Sequence, residues 1–401
     1  MQQPGKFWQI SIIAGMMIFA AAATFAGPLE DASAFIDTNK QEILADWIAL
    51  VDIPAPSRQE QLRVEWVKKA MVASGFQDVS VDGIMNVIGY LPGSSPQAPT
   101  IVFAAHTDTV FSMDTPLDPV VKDGKLYAPG SGDCASNVIG MLWAAKAMKA
   151  AGYTPDVNII FVATAQEEIG LYGMKYFLKE HKGPIDMAVA VDSGLGSISY
   201  GALGIQWFKV TYAAPAGHTL RSIGVPSATK SMAAAIGRLY AEIPTDAATT
   251  TVMNIGVVGG GTVTNAIAAE AWFTVDLRSQ DGPKLISNVE RTKAIAAEVA
   301  TATGATVKVE QTTDIPGGLL PGAETHKLTL AAADASKALG ITPKLSPAGS
   351  CDSNAAIALG IPSIAIGVSK SSGGHSVGEN TEVDSIYTGI KWIIGTIANL
   401  K

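Results

Sequence analysis

The sequence contains very little cysteine and comparatively few charged residues. Cys134 and Cys351 are the only cysteines among its 401 residues, so no framework of several disulfides holds this fold together. Charged residues make up 16% of the chain, which is less than is usual for globular proteins. The net charge is −8, and the sequence has neither a basic run nor basic residues interleaved with aromatic ones. These features argue against nucleic acid as a partner.

The first thirty residues have the three-part pattern of a secretory signal peptide. Lys6 precedes an uncharged run over residues 7–29, and Thr24 and Ala26 are the small residues expected before a cleavage site. We therefore expect residues 1–26 to be removed and the protein to be exported, to a bacterial periplasm or to the medium. The alternative is an uncleaved membrane anchor, because the uncharged run is just long enough to span a bilayer.

Short apolar strands alternate with helices through most of the remaining chain. The clearest candidate strands are Thr100–His106, Val157–Ala165, Met187–Val191 and Ser363–Val368. This alternation predicts an α/β domain with a mostly parallel sheet and helices on both faces. We assign residues 30–203 and 314–401 to this domain.

Residues 204–313 have a different pattern. Candidate strands and helices follow one another there as β-α-β-β-α-β, which is the order of a ferredoxin-like unit with a small antiparallel sheet and two helices. We interpret this segment as a separate domain inserted into the first, which would make the first domain discontinuous.

The start of the chain beyond the leader is predicted to be helical. One helix is expected over residues 30–53, where Pro54 and Pro56 would end it. Ser57 and Glu60 then have the spacing of a capping box for a second helix that runs to Gly75.

Side chains that can bind metal follow the carboxyl ends of the predicted strands. His106 ends one strand, and Asp108 faces the same way two residues later, so its carboxylate could hold the imidazole in one tautomer. The remaining candidates follow other strands or lie in a glycine-rich loop: Asp133, Glu167, Glu168, Asp192 and His375. Because ligands bind beyond the carboxyl ends of strands in α/β sheets, these residues predict one site.

The types of these residues indicate a metal centre. Imidazole and carboxylate ligands suit zinc, or manganese or cobalt in its place. Two histidines and three carboxylates exceed what one catalytic zinc needs, whereas two ions that share a bridging carboxylate would use them all. Glu167, which adjoins the ligand candidate Glu168, would then be free to act as a general base.

Five motifs carry a family resemblance: HTD at 106–108, GSGD at 130–133, EE at 167–168, VDSG at 191–194 and GGHS at 373–376. In order and spacing, they resemble the co-catalytic zinc exopeptidases and amidohydrolases, which include peptidase T, glutamate carboxypeptidase, acetylornithine deacetylase and succinyl-diaminopimelate desuccinylase. The resemblance implies two zinc ions, one bound by His106, Asp133 and Asp192 and the other by Asp133, Glu168 and His375. It also implies that Asp108 orients His106 and that Glu167 is the base.

The resemblance extends to the inserted domain, which corresponds to a lid that often forms a homodimer interface. It implies that His218 stabilises the tetrahedral intermediate, frequently across the dimer, and that Asn265 and Arg278 grip a substrate carboxylate. Ser350 lies in a loop, 349–354, that would shape the substrate pocket. Many relatives have Lys-Gly shortly after the bridging aspartate, where this chain has Cys134-Ala-Ser-Asn137 instead.

We therefore expect an exported hydrolase with two zinc ions that cleaves an amide bond in a small substrate, most simply an exopeptidase acting on short peptides. An N-acyl amino acid deacylase of the same family is the first alternative. A non-catalytic relative that only binds peptides is the second, but the presence of Glu167 argues against it, because pure binding needs no base.

Cys134 and Cys351 pose a separate question, since both are expected near the pocket. An oxidising compartment would close a disulfide between thiols within reach. The alternative, which we favour, is two separate reduced and partly buried thiols, because a disulfide requires the two Cα atoms to lie only ~4.4–6.8 Å apart.

Overall fold

The computed structural model describes residues 27–401. The predicted signal peptide, residues 1–26, lies outside the described residues. Within the described part, no helix combines the length and the apolar character that crossing a membrane requires. The predicted fold class, an α/β domain with a mostly parallel sheet and helices on both faces, is confirmed.

The helices are α1 Pro28–Thr38, α2 Lys40–Val51, α3 Gln61–Ser74, α4 Asn137–Ala150, α5 Tyr172–Glu180, α6 Ala228–Glu242, α7 Gly282–Thr303, α8 Lys327–Ala338, α9 Ser353–Ala358 and α10 Val383–Ala398. The single helix predicted over residues 30–53 is wrong in one respect, because it is broken at Asn39 into α1 and α2. The side chain of Asn39 donates to the carbonyl of Phe35 at 2.7 Å and so competes with the regular helical bonds at the end of α1.

The strands are β1 Gln77–Val81, β2 Val87–Leu91, β3 Thr100–His106, β4 Val120–Lys122, β5 Lys125–Tyr127, β6 Asn158–Thr164, β7 Met187–Leu195, β8 Ser197–Ser199, β9 Gly204–Ala213, β10 Gly217–His218, β11 Val252–Asn254, β12 Val258–Gly260, β13 Ala266–Ile267, β14 Glu270–Ser279, β15 Thr306–Ile315, β16 Lys344–Ser346, β17 Ser363–Gly367, β18 Ser371–Ser372 and β19 Asn380–Glu382.

An eight-stranded sheet forms the centre of the larger domain, in the order β1-β2-β6-β3-β7-β17-β8-β16. Its four middle strands, β6, β3, β7 and β17, are parallel. Strand β3 is buried on both faces: Ile101 and Phe103 pack in a cluster with α4 and α10, whereas Val102 and Ala104 pack in a cluster with α5 and α9. This two-sided burial explains why the strand is a continuous apolar run rather than an alternating one.

A second sheet is formed by strands from the segment that runs from β9 to β15, in the order β11-β14-β9-β15, with β12 also paired to β14. Its longest pairing is antiparallel and joins the whole of β9 to β14. The side chains of Phe208 and Phe273 form a separate hydrophobic core with Leu239 of α6 and Ile295 of α7. The predicted β-α-β-β-α-β order is present as β9, α6, β11, β14, α7 and β15, and the structure adds the short strands β10, β12 and β13. The division of the chain at residues 203 and 314 stays a prediction.

Candidate metal centre

The predicted metal ligands meet at the carboxyl end of the parallel strands. His106 ends β3, Asp192 lies in β7 beyond its pairing with β3, and Glu168 follows β6. Asp133 lies in the kinked segment Ser131–Ser136 that leads into α4. Its own backbone angles are not helical, and its peptide bond to Cys134 is cis. Because β3, β6 and β7 run in the same direction, their ends bring these side chains to one edge of the sheet.

Two groups of potential ligand atoms form there, and Asp133 belongs to both. His106 Nε2 lies 2.8 Å from Asp133 Oδ1 and 3.9 Å from Asp192 Oδ1. On the other side, His375 Nε2 lies 3.1 Å from Asp133 Oδ2 and 3.2 Å from Glu168 Oε2. One carboxylate thus presents one oxygen to each group, which is the arrangement of a ligand that bridges two ions.

The spacing and the charge of these groups fit two divalent cations. The ligand atoms of each group lie within 4.8 Å of one another, and an ion that binds at ~2 Å from each donor fits between atoms so spaced. Burial raises the pKa of Glu168 and that of Asp192 to about 7. Buried carboxylates that disfavour their own ionisation in this way are stabilised by a cation placed between them.

Cys134 also lies within the first group, although the sequence did not suggest it as a ligand. Its thiol donates to the carbonyl of Val191 at 3.4 Å and accepts a hydrogen bond from the side-chain amide of Asn137 at 3.3 Å. Cys351 is buried elsewhere, with its sulfur 3.1 Å from Ser353 Oγ. Both cysteines are free in the structure, as in the alternative that we favoured.

Asp108 contacts the residues of the candidate centre chiefly through bonds that the sequence did not predict. His106 Nδ1 lies 3.0 Å from the backbone carbonyl of Asp108 and 3.5 Å from its carboxylate, so Nε2 is left to face the metal site. The carboxylate itself accepts the backbone N–H groups of Glu167 at 2.9 Å and of Glu168 at 3.2 Å. It therefore fixes the backbone of the acidic pair.

Ser57 is a further residue of this network, and the predicted capping box is wrong. Ser57 Oγ donates to Asp108 Oδ2 at 2.6 Å instead of capping a helix. Helix α3 begins at Gln61 without a side-chain cap, and the buried Glu60 accepts the backbone N–H of Gln166 at 3.0 Å. A hydroxyl gains more from a buried carboxylate than from a helix N–H group, because its bond to a charged acceptor is stronger. This partner lies 51 residues away, so no local pattern indicates it.

Glu167 is buried next to Glu168 and belongs to neither group of ligand atoms. Burial raises its pKa well above the ordinary value, and the carboxylates of Asp192 and Asp352 add to this effect while His106 opposes it. Asp352 is a further buried acidic residue near Glu167, and the sequence did not single it out. Its Oδ2 accepts the hydroxyl of Thr164 at 2.5 Å, and its buried Oδ1 has no hydrogen-bond partner among the described residues.

The residues predicted for the lid make the hydrogen bonds described next within the inserted segment 204–313, and Ser350 of the substrate loop is exposed. His218 is exposed and accepts the backbone N–H of Leu220 at 3.3 Å, and the Asn265 carbonyl accepts from the neighbouring Thr219. Arg278 is paired with Asp276 on the same strand at 3.1 Å, and Ser350 is exposed. The roles assigned to His218, Asn265, Arg278 and Ser350 stay predictions.

Comparison with known proteins shows several relatives. Residues 102–399 match the model of peptidase family M20/M25/M40. The crystal structure of a tripeptidase from Staphylococcus aureus superposes with a TM-score of 0.76 and 25% identity, over 90% of this chain and 98% of that one. An uncharacterized Bacillus subtilis protein, YqjE, is 27% identical over 70% of this chain and 77% of its own length. Mouse aminoacylase-1 is 30% identical over 37% of this chain and 40% of its own.

Proposed function

The chain belongs to peptidase family M20/M25/M40, and we propose that it is an exported exopeptidase that uses two zinc ions to hydrolyse short peptides. Family membership confirms the resemblance carried by the five motifs. It makes the protein a metallohydrolase that acts on peptides or on acyl amino acids. Export, the identity of the metal and the choice of short peptides as substrates are the proposed part.

The position of Asp133 between the two groups of ligand atoms carries the proposal. His106 and Asp192 would hold one ion, Glu168 and His375 the other, and the Asp133 carboxylate would be shared. Zinc suits this set of imidazole and carboxylate donors. Two bound ions would lower the pKa of a water molecule and polarise the carbonyl of the scissile amide.

Glu167 is proposed as the general base. Its backbone is held by Asp108, and its side chain is buried beside the ligand atoms. A carboxyl group with a raised pKa holds a proton more firmly than a solvated one does. This property suits a group that takes a proton from the attacking water and delivers it to the leaving amine.

Short peptides are favoured as substrates by the likeness to a tripeptidase over nearly the whole length of both chains. The partial likeness to aminoacylase-1 favours the alternative, an N-acyl amino acid deacylase. A protein that only binds peptides would gain nothing from Glu167, which argues against the third possibility.

A homodimer through the inserted domain is also proposed. Leu220 and Ile223 follow His218 and are 78% and 92% exposed, an unusual degree of exposure for large apolar side chains in one loop. Burial of this loop against a second copy would cover both side chains and order the segment that carries His218. Export of the protein is supported by the composition of residues 1–26 alone.

A substrate panel tests the proposal on the protein without residues 1–26, loaded with zinc. Tripeptides, their N-acetylated and C-amidated forms, and N-acetyl amino acids would be compared, with Glu167→Gln as the control for background activity. We expect free tripeptides to be cleaved and the blocked forms to show which terminus is recognised. Cleavage of N-acetyl amino acids alone would establish the deacylase. No turnover by a protein that holds two ions would favour the binding protein.

A further inference from the structure

Glu379 is buried and joins two loops that carry metal ligands. It follows His375 by four residues, and its side chain is 1% exposed. Its carboxylate accepts hydrogen bonds from three backbone N–H groups of the segment 130–133, which we call the Asp133 loop: Gly130 at 2.8 Å, Gly132 at 2.7 Å and Asp133 at 2.9 Å. One acidic side chain therefore accepts hydrogen bonds from three of the four backbone N–H groups of this loop.

The Asp133 loop is shaped to receive this carboxylate. A Cβ atom at position 132 would lie 2.4 Å from Ser371 Cβ and 3.0 Å from Glu379 Oε1, so only glycine allows the close approach. Gly130 has a φ of +75°, a conformation that L side chains rarely adopt. The two glycines of the GSGD motif thus serve the contact with Glu379.

Further bonds hold the same two segments together. The backbone N–H of Ala128 donates to the Glu379 carbonyl at 3.2 Å. The buried hydroxyls of Ser131 and Thr381 lie 3.0 Å apart. From the far side, the indole N–H of Trp47 donates to the Ser131 carbonyl at 2.8 Å. Other groups therefore anchor Ser131 and the residue range just before the Asp133 loop, whereas the Glu379 carboxylate binds the N–H groups of Gly130, Gly132 and Asp133.

We infer that Glu379 is a positioning residue of the metal centre: it fixes the backbone of Asp133 relative to His375, so that both can bind one ion. The inference rests on the proposed metal centre, and it assigns to Glu379 no contact with metal or substrate. The role requires a carboxylate, because three N–H groups need at least two acceptor oxygens. A glutamine would offer one oxygen and would turn its own N–H₂ group towards a donor.

Glu379→Gln tests the inference, and Glu382→Gln is its matched control. Glu382 lies in the same segment, but its side chain is half-exposed and its nearest cation, Lys370, is 3.9 Å away. Hydrogen exchange of the three N–H groups is measured in metal-free protein, zinc affinity by competition with a chelator, and kcat and KM with the best substrate. In E379Q, we expect faster exchange at these positions and a loss of metal affinity of about 10- to 100-fold. We also expect kcat to fall while KM changes little, and E382Q to match the unmodified protein throughout.

The readouts separate this inference from the proposed function. If the unmodified protein binds no divalent ion, the metal centre is wrong, whereas slow exchange of the three N–H groups would still show the contact. If the unmodified protein binds two ions and E379Q binds them equally well, the inference is overturned. Should E379Q fail to fold, E379D replaces it, because it keeps the charge but is too short to reach all three donors. Unchanged metal affinity in E379D would overturn the inference as well.

Discussion

The carboxylate of Asp108 accepts the backbone N–H of Glu167 at 2.9 Å, and this bond connects the proposed base to the proposed metal centre. The backbone carbonyl of the same Asp108 receives Nδ1 of His106, a proposed metal ligand. Burial raises the pKa of the Asp108 carboxyl, but its hydrogen bonds with His106, Ser57 and Glu167 outweigh burial, so the pKa lies below the ordinary value. Asp108 is thus a buried anion that holds the proposed ligand His106 and the backbone of the proposed base Glu167 at fixed positions.

The first prediction follows from this geometry. Asp108→Asn should lower kcat by about 10- to 100-fold, because an amide cannot accept from Ser57 and from both backbone N–H groups. Ser57→Ala should have a smaller effect, since it removes one donor and leaves the other bonds of Asp108 in place. Steady-state kinetics and metal analysis of both variants check this. Equal losses in the two variants would contradict the ranking.

The residues of the candidate metal centre could be predicted from the sequence, whereas the residues that hold them in place could not. His106 and Asp192 are recognisable because each ends or follows an apolar strand, and strand ends converge in an α/β sheet. The partners of Ser57 and Glu379 lie 51 and up to 249 residues away, and only the folded chain brings them together. The spacing of Ser57 and Glu60 fits a capping box, but in the folded chain the hydroxyl of Ser57 donates to Asp108 instead.

The second prediction separates the base from the neighbouring ligand. Glu167→Gln should keep both metal ions and lose several orders of magnitude in turnover, because no ligand is removed but the proton acceptor is. Glu168→Ala should lose one ion. Elemental analysis alongside kinetics distinguishes the two variants. A fall of less than about tenfold in kcat for E167Q would contradict the assignment of the base.

The third prediction concerns His218. His218→Ala should lower kcat with little change in metal content, because its proposed partner is charge that develops in the transition state. His326→Ala is the matched control, since each histidine accepts the backbone N–H two residues ahead at 3.3 Å. H326A should therefore reproduce any effect of losing that bond alone, without a loss of kcat.

Mixing His218→Ala with Glu167→Gln tests where His218 acts. Activity regained after subunit exchange would mean that His218 serves the active site of the partner subunit. If no activity returns after verified exchange, His218 acts within its own chain. A chain that stays monomeric at the concentrations of the assay would contradict the proposed dimer.

The fourth prediction is a pH dependence of the metal-free protein. Burial raises the pKa of Glu168 and of Asp192 to about 7, and the bond with Asp133 raises that of His375 to about 9. Between roughly pH 4 and 7, the folded state therefore holds protons on the two acids that the unfolded chain has already released, so stability falls as pH rises. His375 acts in the same direction between about pH 6.5 and 9, because its stabilising charge is lost through that range.

Thermal unfolding in the presence of a chelator checks this prediction. We expect a lower Tm at pH 8 than at pH 5.5, and zinc should remove most of the difference, since a bound cation stabilises the ionised carboxylates. A Tm of the metal-free protein that rises over the same range would contradict the prediction.

The last prediction concerns the two thiols. Cys134 and Cys351 are both buried and free, and each sulfur has its own polar neighbours. Burial raises the pKa of Cys134 to about 12, so very little of the reactive thiolate forms at neutral pH, and alkylation of the folded protein should be slow. In denaturant without reductant, mass spectrometry should show two alkyl groups per chain, and Cys134→Ser should show one. A chain that takes up no alkyl group and is two hydrogens lighter than the reduced protein would establish a disulfide instead. The test should use protein recovered from an oxidising compartment, because only there would a pair within reach have had the chance to close.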